Sequence, residues 1–261
     1  MIPQREIKEK ARELRVPVST IERDYAQNWI LKNLSSMDIA LKGGTGIRKA
    51  YIENYRFSDD LDFTLLSDIK REEIEERIME SVRKSGEESG IFFSNDLAIK
   101  ENKNGFEMNV YFRITQREAN LTRIKIDLTK ETSEKILLPL NILPIIHPYA
   151  EDFSSSVKVY ALEEIMAEKI RSLFQRTRPR DLYDVWFLWD KVNMINVKKI
   201  LPDKFLIKKV EPVVDEVISR KNDFEYAWRN SLQHQLGDLP DFEGIFENVV
   251  GKIKVIKVFD K

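Results

Sequence analysis

Three stretches in the middle of the chain alternate apolar and polar residues with a period of two, which commits that region to a sheet with one dry and one wet face. Leu61, Phe63 and Leu65 alternate with Asp60, Asp62 and Thr64. Phe106, Met108, Val110, Phe112 and Ile114 follow the same rule, and Ile124, Ile126 and Leu128 alternate with Lys125, Asp127 and Thr129. Successive strand side chains point to opposite faces, so each stretch offers one buried row and one solvated row. The turn from Asn102 to Gly105 predicts a hairpin leading into the second stretch. Before, between and after these stretches the pattern becomes helical. Ile21, Tyr25, Trp29 and Ile30 recur at helical steps within residues 1–36, residues 68–90 are charged and helix-favouring, and Leu162, Ile165, Met166, Ile170 and Leu173 form a later stripe. The expected architecture is α+β, with a central mixed or antiparallel sheet, N-terminal helices and a helical C-terminal part. The expected division is 1–153 and 154–261, with Ser154, Ser155 and Ser156 as a linker.

Composition removes several classes of function. Forty-three Lys and Arg nearly balance 44 Asp and Glu, so no global field points to nucleic acid or membrane. The absence of cysteine excludes disulfides, thiolate metal sites and thiol nucleophiles. No apolar run approaches the ~18 residues of a membrane span, and the N-terminal stretch carries no signal-peptide core. The expectation is a cytoplasmic protein with no membrane contact. His147 and His234 lie far apart, which suits neither a zinc site nor a paired base. No Walker A lysine motif is present.

Asp60 and Asp62 sit two apart on the first strand, so both carboxylates leave the same face. Adjacent carboxylates repel unless a cation lies between them, and hard oxygen donors without His or Cys suit Mg²⁺ or Mn²⁺. An isolated pair of this kind is usually a solvated strand end. Here, however, Leu41-Lys42-Gly43-Gly44-Thr45 precedes it, a short strand breaking at a Gly pair ahead of the helix-like segment from Ile47 to Tyr51. Such a turn exposes backbone N–H groups toward a phosphate, and glycine lets the backbone come close. Asp127 shares the polar face of its own strand. If that strand lies beside the one bearing Asp60 and Asp62, three acids converge and hold two metals about 4 Å apart.

Together these segments resemble the polymerase β-type nucleotidyltransferases and, more narrowly, the AbiEii/AbiGii toxin nucleotidyltransferases. The resemblance rests on Ile21-Glu22-Arg23-Asp24-Tyr25, Lys42-Gly43-Gly44-Thr45, Arg56-Phe57-Ser58-Asp59-Asp60-Leu61-Asp62-Phe63 and Arg180-Asp181-Leu182-Tyr183-Asp184, in that order. It implies an enzyme that transfers a nucleoside monophosphate from an NTP to an acceptor, the 3′ end of tRNA in characterised relatives, and a cognate antitoxin within a toxin–antitoxin or phage-defence system. It implies catalytic roles for Asp60, Asp62, Asp127, Lys169 and Asp181, with the first three binding metal. Lys42, Gly43, Gly44, Thr45, Arg56, Ser58, Arg180 and Asp184 are the implied substrate contacts. The gap from the Gly pair to Asp60 is longer than is usual in the superfamily, and Thr45 stands where many members have Ser.

The bland readings stand beside these. Lys169 falls within an apolar stripe, where a lysine ordinarily snorkels to the surface, and Arg180 and Asp184 have the spacing of a simple helix ion pair. Residues 169–180 contain five cations and no acid, usually a solvated face but here the best candidate for an RNA backbone or triphosphate contact. Transfer to a protein or a small molecule, and a silent nucleotide- or partner-binding module, are the alternatives. A DNA reader built on residues 1–36 is disfavoured by Glu6, Glu9, Glu13, Glu22 and Asp24.

Overall fold

The computed structural model describes residues 1–115 and 121–256. The chain folds as two compact units, Met1–Glu134 with Leu140–Tyr160, and Lys135–Pro139 with Ala161–Lys261.

The first unit opens with α1 (Gln4–Glu13) and α2 (Val18–Leu34). Next come β1 (Ile39–Lys42), a single turn α3 (Gly43–Gly46), a π-helical turn at Ile47–Tyr51, and β2 (Asp60–Leu65). The helix α4 (Arg71–Ser89) leads to β3 (Phe92–Phe93), β4 (Ile99–Asn102), β5 (Gly105–Arg113) and β6 (Thr122–Thr129). The unit closes with β7 (Asn141–Pro144) and β8 (Ser156–Val159). Among the described residues, these eight strands form one mixed sheet in the order β3-β5-β6-β2-β1-β8-β7, with β4 also paired to β5. The sheet is mixed because β2 runs parallel to β6 and β1 parallel to β8, while the remaining pairs are antiparallel.

The alternation read in the sequence becomes two faces. Leu61 pairs with Ile126 and Phe63 with Leu128, and Met108 and Phe106 continue the same rows on β5. These residues are buried in one core with Ile74, Ile78 and Val82 of α4 and Ile21, Tyr25 and Ile30 of α2. Val157 and Val159 place β8 in the sheet, although the residues after the serine run read as helical. Four residues are too few for a period to declare itself.

Unlike an ordinary amphipathic helix, α2 is buried on most sides and takes polar residues inside with it. Asp24 is the hub. Its carboxylate accepts from Arg48 Nε at 2.5 Å and from the Tyr149 hydroxyl at 2.7 Å, and it pairs with Lys49 Nζ at 2.7 Å. Burial alone would raise the Asp24 carboxyl, but the charges of Arg48 and Lys49 hold it well below the usual carboxylate range. The same burial pushes the Lys49 ammonium down to about 8, against the opposing pull of Asp24. The network thereby ties α2 to the π-helical turn that follows the Gly pair. His147 is a packed core residue, stacked on Phe153 at 4.0 Å and bonded to Glu151 and Asn28.

The second unit is helical: α5 (Leu162–Gln175), α6 (Pro179–Leu188), α7 (Met194–Lys208), α8 (Val214–Ser219), α9 (Lys221–Leu232) and α10 (Phe242–Lys254). Its interior contains Leu173, Leu182, Val185, Leu201, Phe224 and Val249. Lys204 is held by Glu164 at 2.7 Å and Glu168 at 2.9 Å, and the Glu164 carboxylate also accepts from the backbone N–H groups of Leu137 and Leu138.

Asp24→Ala strands two buried cations and should cost about 3–5 kcal/mol in chemical denaturation. Because the folded pKa of Asp24 is depressed, its stabilisation is present above the ordinary carboxylate value of about 4 and fades as the pH falls below it. Wild type should therefore lose stability on acidification more steeply than Asp24→Asn, as measured by denaturation at stepped pH.

Candidate active site

Strand pairing assembles the polar face of the sheet. In the parallel pair, Asp62 lies in register with Asp127 and Asp60 with Lys125. Glu107 and Asn109 on β5 stand opposite Asp127 and Lys125. In-register neighbours share a face, so Asp62, Asp127 and Glu107 form a row of acids across three strands, with Asp60 and Lys125 in the adjacent row. Lys125 Nζ lies 2.9 Å from Asp127 Oδ1 and 3.2 Å from Glu107 Oε2. Burial raises the Asp127 carboxyl above its usual value and the nearby Asp62 charge raises it further, while the Lys125 hydrogen bond works the other way. Although burial disfavours the Lys125 charge, its hydrogen bond with Asp127 raises its pKa overall.

At the end of β1, Lys42 pairs with Asp62 across the antiparallel ladder, and the chain then turns sharply. Gly43 has φ +68°, and a Cβ added there would stand 2.9 Å from Asp62 Oδ2; one added at Gly44 would stand 2.7 Å from Arg56 Nη2. Both glycines let the backbone lie against charged side chains. Thr45 is fully buried, and its hydroxyl donates to the Asp60 carbonyl, fastening the turn to β2. Lys42 Nζ reaches Thr129 and Glu134, each at 3.2 Å. Arg56 is buried and donates to the Phe57 carbonyl at 3.0 Å, and the Ser58 carbonyl accepts from Gln27 at 3.0 Å. Arg23 braces the entry to both acidic strands, donating to Asp59 at 2.7 Å and to the Arg123 carbonyl at 3.0 Å.

The second unit holds its own charged cluster. Lys169 Nζ lies 2.7 Å from Asp181 and 2.8 Å from Asp184, and Arg176 Nε lies 2.9 Å from the other Asp181 oxygen. Burial would raise the Asp181 carboxyl, but Lys169 and Arg176 hold it well below the normal range. Asp181 and Asp184, one helical turn apart on α6, thus grip the lysine of α5 from one side. Lys169 does not snorkel to the surface as a generic lysine in such a stripe would: its side chain is 12% exposed. Arg171 is also turned inward, bonded to Gln175 at 2.5 Å. Lys169, Arg171 and Arg176 are therefore engaged inside the unit.

Among the described residues, no three Asp, Glu, His or Cys side chains stand together closely enough to hold a metal ion. Strand register brings Asp127 beside Asp62 as expected, but Asp127 is taken by Lys125. Asp60 and Asp62 are two hard carboxylate donors on one strand face, with the side-chain-free Gly43 lying against Asp62. That donor set fits Mg²⁺ or Mn²⁺, which bind through one or two carboxylates together with substrate phosphates.

The family model for the "Nucleotidyl transferase AbiEii toxin, Type IV TA system" matches residues 29–250. The chain belongs to the AbiEii nucleotidyltransferase toxin family. Its members are nucleotidyltransferase toxins of type IV toxin–antitoxin systems, so this chain is an enzyme of that class. The fold resembles that of MenT4, a nucleotidyltransferase toxin from Mycobacterium tuberculosis H37Rv, at a TM-score of 0.71 and 19% identity, covering 100% of this chain and 91% of that one. It also resembles JHP933 from Helicobacter pylori, at a TM-score of 0.63 and 18% identity, covering 92% and 93%. No curated protein sequence matches the chain. Among the described residues of this AbiEii member, no helix is long and apolar enough to cross a membrane.

Sequence reading passed over Lys125, Arg48, Lys49, Tyr149 and Glu134 as site or supporting residues. Lys125 carried a signal, since it lies on the same strand face as Asp127, but its partner choice depends on register. In this AbiEii chain Gly43→Ala would place a methyl in a left-handed backbone against the Asp62 carboxylate. It should cost about 1–2 kcal/mol of stability, read by thermal or urea denaturation, and an unchanged midpoint would contradict the close approach.

Proposed function

We propose that this AbiEii toxin transfers a nucleoside monophosphate from an NTP to the 3′ end of tRNA, using Mg²⁺ or Mn²⁺ held by Asp60 and Asp62, with Asp127 completing the acidic face. The observation that carries the reading is the in-register pair Asp62–Asp127 lying beside the Gly43 turn. When bound, the cation draws charge from the triphosphate and favours departure of pyrophosphate. The backbone N–H groups of Gly43 and Gly44, supported by Thr45, receive phosphate oxygens, and Lys42, Arg56 and Ser58 line the approach. The acceptor hydroxyl oxygen bonds to the α-phosphorus as the bond to pyrophosphate breaks, and Asp127 takes the hydroxyl proton.

Within the helical unit, Asp181 and Asp184 fix the Lys169 ammonium, which with Arg180 supplies positive charge for a phosphate group. An NTP donor and a cognate antitoxin follow from the type IV family. Five cations and no acid between residues 169 and 180 favour an RNA acceptor over a small molecule.

Incubation with each labelled NTP, Mg²⁺ and separate pools of tRNA, antitoxin and aminoglycoside tests the acceptor. Label is expected on tRNA alone; label on a protein or drug pool, or on none, would overturn the tRNA reading. Asp62→Asn should lower transfer by about 100-fold or more. Its thermal midpoint should stay level or rise, because one of two repelling acids is gone.

A further inference from the structure

The acidic face already contains a cation of its own. Lys125 occupies the β6 position in register with Asp60, inside the patch where the neighbouring strand offers acids. Its ammonium bridges Asp127 at 2.9 Å and Glu107 at 3.2 Å, the two acids in line with Asp62. Asn109, opposite Lys125 on β5, has a buried side-chain oxygen with no hydrogen-bond partner. Asp127, Glu107 and this oxygen would together give a divalent ion a set of hard donors, yet the donor position is filled by the lysine, and no three-acid group stands assembled among the described residues. One elementary cation thus answers the repulsion that in-register acids create.

We propose that Lys125 is a built-in counter-ion that takes the place of a second metal, so the enzyme loads one divalent ion at Asp60 and Asp62 and keeps Asp127 paired to the lysine. The inference rests on the metal reading of the carboxylate pair and goes beyond it, because it sets the number of ions and assigns the second position to a side chain. Lys125 is a positioning residue: it acts through Asp127, not on the substrate. It stands partly exposed at 29%, so its replacement leaves no deeply buried hole.

Mn²⁺ binding to the substrate-free protein, followed by electron paramagnetic resonance of the unbound ion, tests this without reference to turnover. Wild type and Lys125→Arg should bind one Mn²⁺ per chain. Lys125→Gln and Lys125→Met should bind a second, or bind the first at least about tenfold more tightly, once the competing charge is removed. A thermal midpoint recorded for each variant establishes that it is folded, and the glutamine and methionine forms back each other up. Two ions in wild type, or identical titrations for wild type, Lys125→Gln and Lys125→Met, would overturn the inference and leave the carboxylate-pair site standing. No bound Mn²⁺ in any form would remove that site and the inference with it.

Discussion

Asp62 and Asp127 stand side by side because two parallel strands pair in one particular register. A slip of one residue would turn Asp127 toward the core and bring Ile126 to the polar face. The apolar rows forbid that slip, since Leu61, Phe63, Ile126 and Leu128 are all nearly inaccessible to solvent. Hydrophobic burial on one side of the sheet thus enforces electrostatic crowding on the other. Much of the polar chemistry of the first unit answers that crowding: Lys125 between Asp127 and Glu107, Lys42 beside Thr129 and Glu134, and a turn with no side chains against Asp62.

A second device holds the turn still. The segment after the Gly pair carries Arg48 and Lys49, and both reach the buried Asp24 of α2. A charge buried without partners costs several kcal/mol, so each of the three requires the others. Arg48 also stacks over Phe57, 3.6 Å from the ring centre, and donates to the Tyr55 carbonyl, linking the network to the approach of β2. Thr45 closes the loop from the other side through the Asp60 carbonyl. The result is a backbone whose position relative to the acidic pair is over-determined, as electrostatic preorganisation demands. The Lys169 cluster of the helical unit uses the same logic, with two buried aspartates fixing one lysine and a second cation sharing the load on Asp181.

Several expectations met structural outcomes that local pattern could not supply. Asp181 and Asp184 were readable as a same-face pair from their spacing, yet that spacing also fitted an ion pair between Arg180 and Asp184. The lysine that Asp184 meets lies on a different helix. Thr45 was read as a phosphate contact, but its hydroxyl is engaged by the backbone of β2. Asp24 stands in the sequence only as part of a family motif and as one of several acids in residues 1–36; its burial depends on what packs around α2. β8 was invisible because a four-residue strand shows only two alternations.

The sequence by itself determined the strand faces, the shared face of Asp60 and Asp62, the sharp bend at Gly43 and Gly44, and the family. All of these depend on neighbours within a few residues, where backbone geometry dictates direction. Tertiary structure alone decided that β6 lies against β2, that Asp127 faces Asp62, and that Lys125 rather than solvent answers Asp127. Those outcomes join residues far apart in the chain, and only the burial of both apolar rows in a common core selects the pairing that brings them together.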